Sequence, residues 1–341
     1  MMDYTILHLH MFDGEGVNMN VNTTTQTGAG KDLSPEMKTY YERTLIRMAE
    51  AELVHDQFGQ QKPIPHRSGK TIEFRRFASL KKAMTPLTEG VTPDGDSLNV
   101  TAITATLAQY GSYIVSSDML QLTAIDNMLT EITKVLGRQA GETSDAITRE
   151  VIAGGTNVRY AGGKTSRANL TATDILTVAD IKKAVRDLKA KNAKKINGYY
   201  IAIVHPDTVY DLWNDEEWVE ASKYAGSEQI FKGEIGKMYG VRFVESTEAK
   251  IWQVDKSSGQ DGSDLLSVYG TLILGDNAYG VTTLGGKGIE YIIKQKGSAG
   301  TGDPLDQRSS VGWKLTKTAK ILVDEYMVRI EHAASLPSAA N

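Results

Sequence analysis

The sequence predicts an α+β fold arranged along one very long helix, and three patterns predict it. From Ile125 to Val151 the large apolar residues recur at helical spacing. Leu98 to Val115 and Val311 to Ile330 alternate as strands do, and between Thr177 and Ile293 helical and strand patterns take turns.

Taken in order, residues 1–33 have little periodicity and pass into a Thr-, Asn- and Gly-rich stretch, which predicts a flexible arm. Two chain starts stay open, Met1 and Met19; Gly14-Glu15-Gly16 can be encoded by a purine-rich ribosome-binding sequence two codons before Met19. Residues 34–60 read as a helix. Ser34 caps it, Pro35 occupies the first turn without losing a needed donor, Glu36 complements the dipole, and Met37, Tyr40, Tyr41, Leu45 and Met48 recur at helical spacing up to Gly59.

Residues 61–115 read as a long extended hairpin. Ile72 and Phe74 share one face of a strand that starts at Lys70, and a loop of about 20 residues with turn chemistry at Thr92-Pro93-Asp94-Gly95 leads to the return strand. Its tip is expected to offer charged Arg75, Arg76, Lys81 and Lys82 and few large apolar groups, so the hairpin needs a neighbour to pack on.

Residues 116–155 read as one helix of about 36 residues, about 54 Å long, capped by Ser116-Ser117-Asp118 and ending at Gly154-Gly155. Gly137 and Gly141 inside it predict close packing of another backbone or a bend. Residues 156–305 read as an α/β unit with connecting loops. Thr177 and Asp180 form a capping box, Tyr199 to Val204 is a strand, His205-Pro206-Asp207 starts a short helix, and Thr271 to Leu274 and Ile289 to Ile293 are strands of the same unit. Residues 306–332 are expected to close the fold as long strands, and 333–341 to form a tail.

With 40% hydrophobic and 23% charged residues the chain can bury a substantial core. The formal charge of −4 offers no net attraction for polyanions. The absence of cysteine excludes disulfides, thiolate zinc sites and cysteine nucleophiles, and leaves the redox compartment open. No apolar run reaches the roughly 18 residues of a membrane helix, and the start lacks signal-peptide order, which predicts a soluble, unexported protein without membrane partners.

Chemical motifs fail one by one. Gly162-Gly163-Lys164-Thr165 lacks the earlier glycine of a phosphate loop, since Val158 stands there, and Gly286-Lys287-Gly288 fails as a dinucleotide fingerprint at Tyr291. The histidines have no paired-ligand spacing, and Asp94-Gly95-Asp96 and Asp261-Gly262-Ser263-Asp264 lack the remaining ligands of a calcium loop. Trp213 and Trp218 read as core residues, and the charge run Lys182 to Lys195 as a solvated helix face. No cofactor, metal or catalytic set is expected.

The order of arm, extended hairpin, very long helix, α/β unit and closing strands resembles the Hong Kong 97 type capsid fold, in which these are the N-arm, E-loop, spine helix, axial domain and peripheral domain. Leu33-Ser34-Pro35-Glu36-Met37, Lys70-Thr71-Ile72-Glu73-Phe74, Pro86-Leu87-Thr88-Glu89-Gly90 and Ala124-Ile125-Asp126-Asn127 are similar to stretches of one branch of major capsid proteins, related to those of a group of podophages. So are Ile147-Thr148-Arg149-Glu150, Gly154-Gly155-Thr156-Asn157 and Tyr160-Ala161-Gly162-Gly163-Lys164-Thr165, and the similarity runs from about Leu33 to Ile330. The resemblance implies a shell subunit that assembles through pentamers and hexamers around packaged double-stranded DNA, which it touches non-specifically. Assembly is expected in the host cytoplasm, with a separate scaffolding protein and a portal. Subunit contacts are expected at Tyr40, Tyr41, Phe74, Arg75, Arg76, Lys81, Lys82, Glu89 and Asp94. The alternatives are a cellular nanocompartment shell of the same fold and, further off, an enzyme using the α/β unit around His205 and Asp207.

Overall fold

A computed structural model describes residues 21–22, 54–65, 67–77, 80–87, 89–92, 94–123, 128–224, 236–256, 265–285, 288–298 and 302–339. The chain divides into two compact units. The first takes residues 1–48, 111–140 and 290–314, the second 49–110, 141–289 and 315–341.

The second unit holds a seven-stranded sheet. Its path is β6 (Val158–Tyr160), β15 (Met327–His332), β11 (Leu265–Leu274), β7 (Tyr200–Val204), β9 (Val241–Glu245) and β8 (Lys237–Met238), with β10 (Ile251–Asp255) also paired to β11. Every residue of β7 is buried, because the sheet is covered on both faces. Tyr200, Ala202 and Val204 join Ile181, Val185 and Leu188 of helix α3 (Val178–Ala190), with Leu212 of α4 (Pro206–Trp213) and Trp218 of α5 (Glu216–Tyr224). Ile201 and Ile203 point the other way, into a cluster with Val54, Ile152, Tyr279 and Met327. Burying each such side chain contributes about 1.5–3 kcal/mol, so this double-sided layer is the main core. The expected capping box is present: the Thr177 hydroxyl accepts from the Asp180 amide at 3.4 Å and donates to its carboxylate at 2.9 Å.

Below that cluster, β12 (Tyr279–Thr283) pairs parallel with the short β2 (Gln60–Gln61) and antiparallel with 317–321 of β14 (Arg308–Ile321). Residues 55–58 form a turn and Gly59 a bend, where a helix was expected to reach Gly59; residues 34–53 of that expected helix lie outside the described residues. Two features fix this segment. A Cβ on Gly59 would lie 2.5 Å from the Tyr279 ring, and the Asp56 carboxylate is engaged by Lys317 Nζ at 2.6 Å through both oxygens.

In the first unit, Val115 and Ser116 of β5 (Ala108–Ser117) pair parallel with β1 (Val21–Asn22), and β5 lies beside β14. β13 (Glu290–Lys294) pairs antiparallel with 310–314 of β14. Helix α1 (Asp118–Thr123) is capped as expected, with the Leu120 amide donating to Ser117 Oγ at 3.2 Å. Residues 128–140 open helix α2 (Met128–Ala153), and Met128, Ile132, Leu136 and Ala140 form its buried stripe. Trp313 is buried and donates its indole N–H to Gln139 at 3.1 Å.

Of the stripe read as one helix of about 36 residues, α1 and the 26-residue α2 are described, and 124–127, which would join them, lie outside the described residues. Three sequence expectations change. The run Leu98–Val115 is two strands, β4 (Val100–Thr106) and β5, divided at Leu107, whose amide donates to the Lys70 carbonyl and closes the hairpin ladder. The 306–332 segment is not one set of closing strands. A turn with the short 3-10 segment Asp324–Tyr326 sends β15 into the α/β sheet, whereas β13, assigned above to the α/β unit, pairs with β14 instead. The expected tail is tied down as far as Ser338, whose amide donates to the Tyr269 hydroxyl at 2.6 Å, while the Ser335 amide donates to Asp211.

Candidate functional site

Among the described residues, the hairpin of β3 (Thr71–Phe77) and β4, paired antiparallel from Thr71 opposite Thr106 to Phe77 opposite Val100, is mostly exposed. Among its strand residues only Phe74 and Ala105 are buried. Phe74 is held within its own chain, its ring 3.0 Å from where a Cβ on Gly280 would stand, with the Lys62 ammonium 5.8 Å from the ring centre. Beyond this root both faces of the ribbon are open.

Arg75 pairs with Glu73 at 2.9 Å on the surface, and Arg76, Lys81, Lys82, Glu89 and Asp94 are all exposed. Tyr40 and Tyr41 lie outside the described residues. The expected charged tip is therefore present, but the expectation of few apolar groups there is wrong. Phe77, Leu80, Met84, Leu87, Val91, Leu98 and Val100 are all exposed, Met84 by 80% and Leu87 by 77%. The signal that could have found them is a run of large apolar residues in a stretch with turn chemistry and no strand or helix to bury them. Large apolar side chains gathered in one exposed loop are the kind of surface that partners cover.

An ionic cluster around the buried Lys317 ties Asp56, which precedes the hairpin in sequence, to helix α2 and β14. Lys317 has 1% side-chain exposure and donates to both Asp56 oxygens and to the Ser144 carbonyl at 2.6 Å, and Asp56 also accepts from Ser144 Oγ at 3.1 Å. Burial lowers the Lys317 pKa, and the Asp56 carboxylate opposes that shift. Alongside it, His55 donates its amide to Asp145 at 2.8 Å and its Nδ1 lies 2.5 Å from the same carboxylate, while the Tyr279 hydroxyl donates to the His55 carbonyl. Of these side chains only His55 figures in the sequence expectations, among the histidines without paired-ligand spacing.

The motifs weighed earlier have structural partners. His205 Nδ1 accepts from the Asp207 amide at 3.2 Å and so caps α4, and Asp207 accepts from the Tyr269 hydroxyl at 2.6 Å. Burial lowers the His205 pKa against the pull of Asp207. Gly162 and Gly163 take positive φ, 62° and 70°, beside a pocket of about 510 Å³ between β6 and α3. In that pocket Lys183 lies 2.9 Å from Asp180, Arg159 pairs with Asp187, and Lys164 is 3.8 Å from Asp174, so each cation faces a carboxylate. Trp218 packs edge-on against Phe243 at 5.1 Å in the core, whereas Trp213 is exposed, contrary to expectation. Among the described residues no group of three or more His, Asp or Glu could hold a metal, and no helix is long and apolar enough to cross a membrane.

Comparison with solved structures finds the same fold in phage heads. The capsid of Ralstonia phage GP4 is 15% identical with a TM-score of 0.67, over 92% of this chain and 100% of that one. The capsid of cyanophage P-SCSP1u is 13% identical with a TM-score of 0.66, over 95% and 100%. The head of Helicobacter pylori bacteriophage KHP40 is 15% identical with a TM-score of 0.64, over 91% and 99%. No protein of curated function matches the chain in sequence. The α+β arrangement expected from the sequence is thus the capsid arrangement. Residues 60–297, more than half of the chain, also match the family described as phage capsid protein, and with fold and sequence pointing the same way the chain belongs to that family.

Proposed function

We propose that this chain is the major subunit of an icosahedral phage shell, assembling through pentamers and hexamers in the host cytoplasm and enclosing double-stranded DNA. The observation that carries the reading is the β3–β4 ribbon. A two-stranded ribbon is marginal at best by itself, and this one ends in a loop with Leu80, Met84, Leu87 and Val91 in solvent. A second copy of the chain supplies the missing apolar contacts, around the charged residues Arg75, Arg76, Lys81, Lys82, Glu89 and Asp94. Each contact is weak, and closure of a lattice makes many of them simultaneous.

The work is mechanical, with no reaction catalysed. The α/β unit serves as the axial domain of the capsomer, and the near-balanced charge suits a wall that touches packaged DNA without retaining it. A scaffolding protein guides closure and a portal occupies one vertex. The test is deletion of Leu80 to Asp96 in particle-producing cells. The expected product is a folded subunit or capsomer and no closed shells by electron microscopy; normal shells would overturn the role given to the loop.

A further inference from the structure

β13 is an open edge. Among the described residues it pairs with β14 alone, and all five of its residues are exposed, with 47%, 38% and 54% of Tyr291, Ile292 and Ile293 in solvent. Opposite Tyr291 and Ile293 on β14 stand Trp313 and Val311, both buried. The apolar layer therefore continues outward from covered to half-covered side chains and stops. Edges of this kind are usually blunted by proline, internal charge or a covering segment. β13 has no proline, and its charges stand only at its two ends.

The order of residues says what completes it. We propose that β13 pairs antiparallel with the β13 of a second copy, about a two-fold axis through Ile292. In that register Glu290 faces the partner's Lys294, Tyr291 faces the partner's Ile293, and Ile292 faces the partner's Ile292. Both ends match opposite charges and the middle is apolar, as a self-complementary two-fold contact requires. Parallel pairing in register would instead set Glu290 on Glu290 and Lys294 on Lys294. Within its own chain Glu290 already lies 3.9 Å from Lys314, so the contact places its carboxylate between two ammonium groups. The outcome is a sheet that runs without interruption from one subunit into the next. This inference rests on the shell reading, and it names one contact within the shell.

The chain has no cysteine, so Ile292→Cys introduces a single thiol. Directly opposed residues in an antiparallel pair have Cα atoms about 4.5–5.5 Å apart, inside the range a disulfide bridges. Oxidised particles carrying Ile292→Cys are expected to yield a covalent dimer on a non-reducing gel. If that variant fails to make particles, the Tyr291→Cys/Ile293→Cys pair reads the same register. Adding Glu290→Lys or Lys294→Glu alone is expected to lower the dimer yield about tenfold, and adding both to restore it. Particles that form without any dimer, or a yield indifferent to the single swaps, overturn the pairing and leave the shell reading intact. Failure of the unsubstituted chain to form particles overturns both.

Discussion

Lys317 and Asp56 show how one side chain decides the cost of another. The ammonium has 1% exposure and the carboxylate 31%, so the two are not equivalent partners. Asp56→Ala strands a buried charge and is expected to cost about 3 kcal/mol, whereas Lys317→Met leaves a carboxylate that water can reach and should cost less than half of that. The double variant should recover much of the loss of Asp56→Ala, as urea unfolding of the unassembled subunit will show. His332 gives the pH counterpart. Fully buried, it donates Nδ1–H to the Ala333 carbonyl at 2.8 Å and accepts at Nε2 from Thr271 at 2.9 Å. Burial pushes its pKa from 6.5 to about 4, against the pull of that hydrogen bond and of Asp211, Asp180 and Glu331. Because the folded pKa is depressed, the unfolded chain binds the extra proton, and stability falls as pH drops through the window from 6.5 to about 4. At about 1.4 kcal/mol per pH unit that window is worth roughly 3 kcal/mol, and His332→Gln should flatten the slope in a pH series of thermal melts.

Among the elements, neighbouring strands β5 and β14 approach each other closely. A Cβ on Gly111 would lie 2.7 Å from the Trp313 carbonyl oxygen, and one on Gly312 would lie 2.8 Å from the Tyr113 Cβ. Neither neighbour can yield easily, so Gly111→Val is expected to cost about 2 kcal/mol in the same unfolding assay. The hairpin predicts the opposite behaviour. Met84→Asp with Leu87→Asp removes exposed apolar surface, so the subunit should melt within about 0.5 kcal/mol of the parent while closed particles disappear from electron micrographs. Period alone revealed β3, with Phe74 on its buried face, and the stripe of α2. It did not reveal the break at Leu107, because the Thr and Ala alternation passes through that residue without interruption and only pairing to Lys70 ends the ladder. The partner of β13 was equally hidden, since its pattern of alternation is the same whichever sheet receives it. Lys317 sits 261 residues from Asp56, and no local signal ties them together.

For the whole molecule, the subunit is expected to change little in its core and much in its exposed loop when it enters a particle. Amides of 80–99 should exchange rapidly in the free subunit and become protected in particles, while those of β7 stay protected in both, as hydrogen exchange read by mass spectrometry will show. The order of elements and the double-sided α/β core were legible at this scale, because periodicity is a local property. The division of strands between two units was not, because it is set by pairings between distant segments. That division has a consequence for synthesis. β15 follows every other described strand in sequence and yet lies between β6 and β11. While a ribosome is still making the chain, the α/β sheet lacks an interior member and cannot close its core. Nascent chains on one messenger are therefore expected to be held back from premature association until the residues of β15 have emerged.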